Sequence, residues 1–293
     1  MTTVRLGTAT PGGGFPVYGD AFIAAIAAAD PDLKVEPRNT KGSTENVPLL
    51  EAGDLDIALV QGEVVYEALS GIGRPPANLA IIVAMYSTPG MFVVRANTPY
   101  RTIRDLVGKP VAFGAKGSGL TILSRYVLDG LGLEQQRDFQ AIYLDRAGDG
   151  PAMVMDGRAA ALWGGGSGWP GFTAVTNGPQ GGRFIVPNAD EIKAILSRHT
   201  FLKPLSVEPG SFPGQTTATN SVGSWSFVMA RPTLADDVAY RLARALHRSE
   251  KLIGEKLAQA RETSLANTVA AAPRQELIHP GVLRYMREAG IAK

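Results

Sequence analysis

Five short segments combine glycine with small polar side chains in the way an anion-binding loop does. They are Thr10–Phe15, Lys41–Asn46, Gln61-Gly62, Gly114–Gly119 and Trp163–Trp169. Each follows a strand-like stretch or opens a helix-like one. There, glycines let a ligand approach the backbone, and first-turn amides are donors with partial positive charge. Hydrogen bonds to a charged group contribute about 1.5–3 kcal/mol each, so three or four could hold a carboxylate without an arginine. The candidate ligand-binding residues are Gly13, Gly14, Phe15, Ser43, Thr44, Glu45, Asn46, Gln61, Tyr86, Ser118, Gly119, Trp163 and Gly165. The bland alternative for any one loop is a tight turn, and Trp163, Trp169, Phe172, Phe212 and Trp225 suit a core as well as a pocket wall. Arg95 and Arg231, at strand ends, read first as solvated charges or salt-bridge partners.

Other chemistries fail on spacing. The segment GAKGSG lacks the GK[ST] ending of a phosphate-binding loop, because Lys116 precedes its glycines. No GxGxxG follows the first strand at the needed distance, and no GxSxG elbow occurs. His199, His247 and His279 are far apart and cysteine is absent, so no metal site, thiolate chemistry, disulfide or cofactor is expected. Apart from Glu45, the loops offer no acid, base or nucleophile, so the chain reads as a binder and not an enzyme. The net charge of +2 is scattered, which argues against nucleic acid.

The elements that would position these loops alternate strand and helix. Val4–Gly7, Lys34–Arg38, Asp56–Val60, Met91–Arg95, Pro110–Phe113, Ala141–Leu144, Ala159–Trp163 and Trp225–Ala230 read as strands. Tyr18–Ala29, Ser43–Ala52, Leu120–Leu131, Asp149–Asp156, Asp236–Lys256 and Pro280–Ala289 read as helices. Pro48 is expected to be tolerated because it falls near a first turn, and Pro89-Gly90 is expected to form a turn before the strand at Met91. This alternation predicts α/β architecture with a largely parallel sheet. Phe92-Val93-Val94-Arg95 and Phe227-Val228-Met229-Ala230-Arg231 echo one another, and proline and a helix follow in both cases. Two α/β lobes are expected, the second inserted into the first: residues 1–90, then 91–224, then 225–293 with the C-terminal helices. With 45% apolar residues the chain can bury a substantial core, and no run of 18 apolar residues would span a membrane.

Taken in order, several motifs resemble the TAXI family, the solute receptors of tripartite ATP-independent periplasmic (TRAP) transporters. Gly7–Gly19 is similar to that family's opening glycine-rich loop. Lys41–Asp56 with Ala58–Gln61 resembles its Gly-Ser-x-Glu-Asn helix start and the strand ending Leu-Val-Gln. Leu106–Val111 with Gly117-Ser118-Gly119, Phe212–Gln215, and His279-Pro280-Gly281 before Arg284-Tyr285 complete the likeness.

The resemblance implies a type II periplasmic-binding-protein fold with two α/β lobes, a two-strand hinge and a ligand cleft between the lobes that closes on binding. It implies a receptor that captures a small organic acid and delivers it to a TRAP membrane subunit by transient contact. A receptor for an ABC transporter is the alternative, and an enzyme on the same fold a more distant one. A periplasmic monomer is expected. Met1-Thr2-Thr3 runs straight into a strand pattern with no signal peptide, so the resemblance implies an export signal removed ahead of it. The sequence departs from the family at Gly14, Phe15 and Leu120, where hydroxyl side chains are usual. The expected ligand is therefore less polar than glutamate at its distal end.

Overall fold

Along Thr2–Gly7 (β1), Val4 and Leu6 turn inward while Thr3 and Arg5 face solvent, the two-residue period of a half-buried strand. Ile57–Val60 (β3) is buried at every position, as a central strand covered on both faces must be. A computed structural model describes residues 2–292 of the chain. Its first half alternates β1, α1 (Gly14–Ala29), β2 (Leu33–Arg38), α2 (Ser43–Glu51), β3 and α3 (Gly62–Ser70). The long strand β4 (Ala80–Arg95) leads to β5 (Pro110–Ala115), α4 (Gly119–Gly130), α5 (Gln135–Asp138), β6 (Gln140–Leu144), α6 (Gly150–Met155), β7 (Ala161–Gly165) and α7 (Pro170–Thr176). Then come β8 (Gly182–Ile185), α8 (Ala189–Arg198), β9 (Lys203–Val207), β10 (Thr219–Ala230), α9 (Asp236–Lys256), α10 (Leu265–Ala271) and α11 (Pro280–Glu288).

The chain divides into two units. The first comprises Met1–Ala9, Phe15–Tyr86 and Trp225–Lys293, the second Thr10–Gly14 and Ser87–Ser224. The first division falls at Tyr86/Ser87, within β4, and that strand runs straight through Pro89-Gly90 instead of turning there.

In the first unit β1 is parallel to both β2 and β3, and β10 runs antiparallel to β3, with Val228 opposite Leu59. Helix α1 buries Tyr18, Phe22, Ala25 and Ile26. Helix α9 buries Ala239, Leu242, Ala243, Leu246 and Ile253, the stripe a 3.6-residue period produces. Pro48 lies six residues into the nine-residue α2, past the first turn, which corrects the expectation. The helix forgoes one ladder bond there, at a residue exposed to solvent.

In the second unit β5 is parallel to β6 and β7, while β7 and β8 both run antiparallel to β4. Its core is strongly aromatic. Phe92 meets Phe113 and Trp163 edge-on, and Phe172 contacts Trp169, Phe184 and Phe212. Two glycines of the run Trp163–Gly171 are required by this packing. A Cβ at Gly164 or Gly171 would lie 2.5 or 2.1 Å from the Trp169 ring.

Candidate functional site

At the carboxyl ends of β1 and β3, in the first unit, a set of short side chains holds the backbone in place. Asn46, fully buried in α2, donates from Nδ2 to the Thr8 and Leu59 carbonyls, both at 2.8 Å. One amide thereby ties the ends of two neighbouring strands to the helix. Ser43 Oγ accepts the Gln61 N–H at 3.0 Å, joining the first residue of α2 to the end of β3. Thr40 donates to the Thr8 carbonyl and accepts from Gly42 N, both at 3.1 Å. Glu45 accepts the Lys41 N–H at 2.6 Å, and Thr44 is exposed.

Four expected ligand residues, Ser43, Glu45, Asn46 and Gln61, thus lie at these strand ends, and Thr8 and Thr40 belong with them. Those two threonines were missed by sequence reasoning, although Thr8 directly follows a strand. Two polar atoms of this set are buried with no hydrogen-bond partner: Nε2 of Gln61 and Oδ1 of Asn46. Gln61 is 3% exposed. Its side chain does not cap α3, and its carbonyl accepts the Val64 and Val65 amides. Tyr86, at the first unit's end of β4, packs edge-on against Tyr18 at 5.5 Å. Burial raises the pKa of both phenols well above the usual tyrosine range, so both stay neutral.

In the second unit Ser118 caps α4, its Oγ accepting from Leu120 N at 3.1 Å. The Ser118 carbonyl accepts from Thr121 N at 3.2 Å and Thr121 Oγ1 at 2.7 Å, and Ser118 N donates to Ala115. This corrects the sequence argument about free amides: those of Ser118, Leu120 and Thr121 are already spent within the loop and first turn. The cause is local, since a serine N-cap does what a ligand would otherwise do. Lys116 follows β5 and forms an exposed ion pair with Asp145 at 2.8 Å. Gly13 and Gly14 are buried, in the 10–14 segment. That segment accepts the Ala147 N–H at Thr10 Oγ1 and the Gly148 N–H at the Pro11 carbonyl. Gly12 (φ +84) lies so near Gly148 that a Cβ would sit 2.5 Å from its Cα. Phe15 is half-buried in the first turn of α1.

Trp163 lies elsewhere than on a pocket wall. It is fully buried in the second unit's core, and its indole N–H is spent on the Leu120 carbonyl at 2.9 Å. Gly165 is walled by Thr88 and Pro89, which leaves no room for a side chain. Arg231 forms an ion pair with Asp56 at 2.9 Å. Among the described residues no group of three or more His, Cys, Asp or Glu is placed to hold a metal, and no helix is long and apolar enough to cross a membrane.

The same arrangement of parallel strands and connecting helices is made twice in one chain, once in each unit. Over residues 6–290 the sequence matches the NMT1-like family, to which this chain belongs. Among solved structures, MatC from Rhodopseudomonas palustris, crystallised with bound malate, superposes with a TM-score of 0.61 at 12% identity, covering 98% of each chain. A TctC solute-binding protein from Polaromonas gives 0.52 at 16% identity, covering 90% of this chain and 89% of that one. The alkanesulfonate-binding protein SsuA from Xanthomonas axonopodis pv. citri, bound to MOPS, gives 0.52 at 17% identity, covering 100% and 95%. The fold is accordingly the type II-like fold of periplasmic solute-binding proteins.

Proposed function

We propose that this protein is an extracytoplasmic solute receptor that binds a small organic acid and hands it to the membrane subunit of a transporter of the TRAP type, as the TAXI-like motifs suggest. The observation that carries the reading is Gln61 Nε2, a buried amide donor without a partner at the carboxyl end of a parallel strand. A buried donor left unsatisfied costs about 1–3 kcal/mol, so a position that keeps one is suited to a ligand acceptor. A carboxylate oxygen is the acceptor that gains most from it. Membership of a family whose fold is that of solute-binding proteins supports the same class of function. Around Gln61 the first unit offers Ser43, Glu45 and Asn46 of the residues expected from sequence.

Native mass spectrometry of the purified protein identifies any retained ligand. Calorimetry with glutamate, 2-oxoglutarate, succinate and branched or aromatic monocarboxylates then ranks the class. At least one acid binds, and Gln61→Leu weakens it about 10-fold to 100-fold, the equivalent of one charge-assisted bond. Undiminished binding by Gln61→Leu removes the residue from the site, while failure of every acid, or chemical turnover of the tightest one, overturns the receptor reading.

A further inference from the structure

His279 has both ring nitrogens engaged inside the first unit, and both contacts fix its charge state. Nδ1 accepts the Gly281 N–H at 3.2 Å, which makes the side chain the N-cap of α11. Nε2 lies 3.1 Å from the Leu234 carbonyl, to which only an N–H can bond. The network thus assigns the neutral Nε2–H tautomer. The residue is 3% exposed. Its own N–H donates to the Ile81 carbonyl at 2.9 Å, and Ile278 bridges Ile81 of β4. Gly281 fits so tightly against α9 that a Cβ would come within 2.1 Å of the Asp236 carbonyl. One imidazole therefore sits where the C-terminal helix meets the start of α9 and strand β4.

We infer that His279 is an acid-released latch on the C-terminal helix: charging its ring places a proton on Nδ1, turns the cap acceptor into a donor facing the Gly281 N–H, and frees α11 from α9 and β4. The groups around it do not prevent this. Asp236 Oδ1 is 3.9 Å from Nδ1, but that side chain is 58% exposed and screened by water. Asp237 is paired with Arg284, and Arg231 with Asp56. Residues 80–84 of β4 contribute no titratable side chain. Burial lowers the ring's pKa, outweighing the Leu234 carbonyl and Asp236, which raise it. The other histidine of the α9–α11 pair, His247, has Nδ1 2.9 Å from the Tyr285 hydroxyl. That hydroxyl can donate or accept, whereas the backbone N–H facing His279 can only donate.

The sign is set by linkage. A ring whose folded pKa lies below the free value of 6.5 keeps its full contribution above that pH, and loses it as pH falls through the folded pKa. One proton taken up on opening raises the opening equilibrium up to about tenfold per pH unit in that window.

Hydrogen exchange of the amides of residues 281–289, corrected for the chemical rate and followed from pH 7.5 to 5, reads this directly. The wild type should lose protection below about pH 6.5, up to tenfold per unit. His279→Asn, whose amide oxygen caps without titrating, should hold its pH 7.5 protection throughout. A flat wild-type profile, or an Asn variant that follows the wild type, overturns the latch. If the variant does not fold, ¹⁵N imidazole shifts of the wild type decide. The Nε2–H tautomer titrating below 6.5 sustains the latch, and a ring that titrates at or above 6.5 sinks it.

Discussion

The two units repeat one topology and stabilise it by different means. In the first, the strand order is β2-β1-β3 with β10 antiparallel beside β3; in the second it is β6-β5-β7 with β4 antiparallel beside β7. The echo between Phe92–Arg95 and Phe227–Arg231 is the trace of that equivalence, since Phe92 pairs with Trp163 of β7 and Phe227 with Val60 of β3. Yet the first unit secures its strand ends with buried polar side chains, chiefly Asn46, Ser43 and Thr40. The second relies on aromatic rings closing over glycines, with a self-capped helix start. Two adjacent strand ends can be joined either by hydrogen bonds that need a particular side chain, or by packing that needs a particular shape. At the first unit's strand ends the hydrogen-bonded way leaves Gln61 Nε2 buried without a partner.

The largest effect should come from the aromatic side of this contrast. Trp163→Ala removes the largest fully buried side chain and one buried donor from the Leu120 carbonyl. Urea unfolding should register a loss of about 3–5 kcal/mol. A loss under about 1 kcal/mol would mean that the second unit is not held by its rings.

Asn46→Ala tests the polar side. It strips the Thr8 and Leu59 carbonyls of one buried donor each, and should cost about 2–3 kcal/mol. Because both carbonyls sit at the strand ends of the candidate site, ligand affinity should fall as well. Intact stability in this variant would show the side chain to be incidental, and the two units to be alike in their support.

The smallest effects separate the ion pairs. Asp56 takes Arg5 Nε at 2.9 Å, the Arg5 N–H at 2.8 Å and Arg231 Nε at 2.9 Å. Burial pushes its carboxyl up, but the hydrogen bonds from Arg5 and Arg231 outweigh it and hold the pKa at about 2. The stabilisation is therefore present above the ordinary value of 3.8 and lost as pH falls from there to about 2. Allowing for solvent around Arg5, it should amount to about 1–2 kcal/mol. Asp56→Asn should be less stable than the wild type by that amount at pH 6, with the two converging near pH 2. Lys116→Ala, which breaks the exposed pair with Asp145, should stay within about 0.5 kcal/mol. A large Lys116 effect would place a structural charge in the second unit, where the comparison has none.

Elements with a clear period or a sharp boundary were legible in the sequence. Strands β1, β2, β3 and β5 and helices α4, α9 and α11 fall within a residue or two of where the pattern puts them. Others were hidden for identifiable reasons. Helix α8 is only ten residues long, so its stripe of Ile192, Ile195 and Leu196 spans little more than one turn, although its Asn188…Glu191 capping box was there to be read. Strand β9 carries Pro204 in a mostly exposed run, and Ser87–Gly90 imitates a turn inside β4.

The candidate site divides along the same line. By itself the sequence determined that polar and glycine-rich segments stand at strand ends, because periodicity and turn chemistry depend on neighbours along the chain. Only the tertiary structure decided which of those groups are already spent. Asn46 finds its acceptors 38 and 13 residues away, and Trp163 its acceptor 43 residues away. Whether a buried donor is satisfied is fixed by the single nearest acceptor in space, and no local pattern encodes that distance.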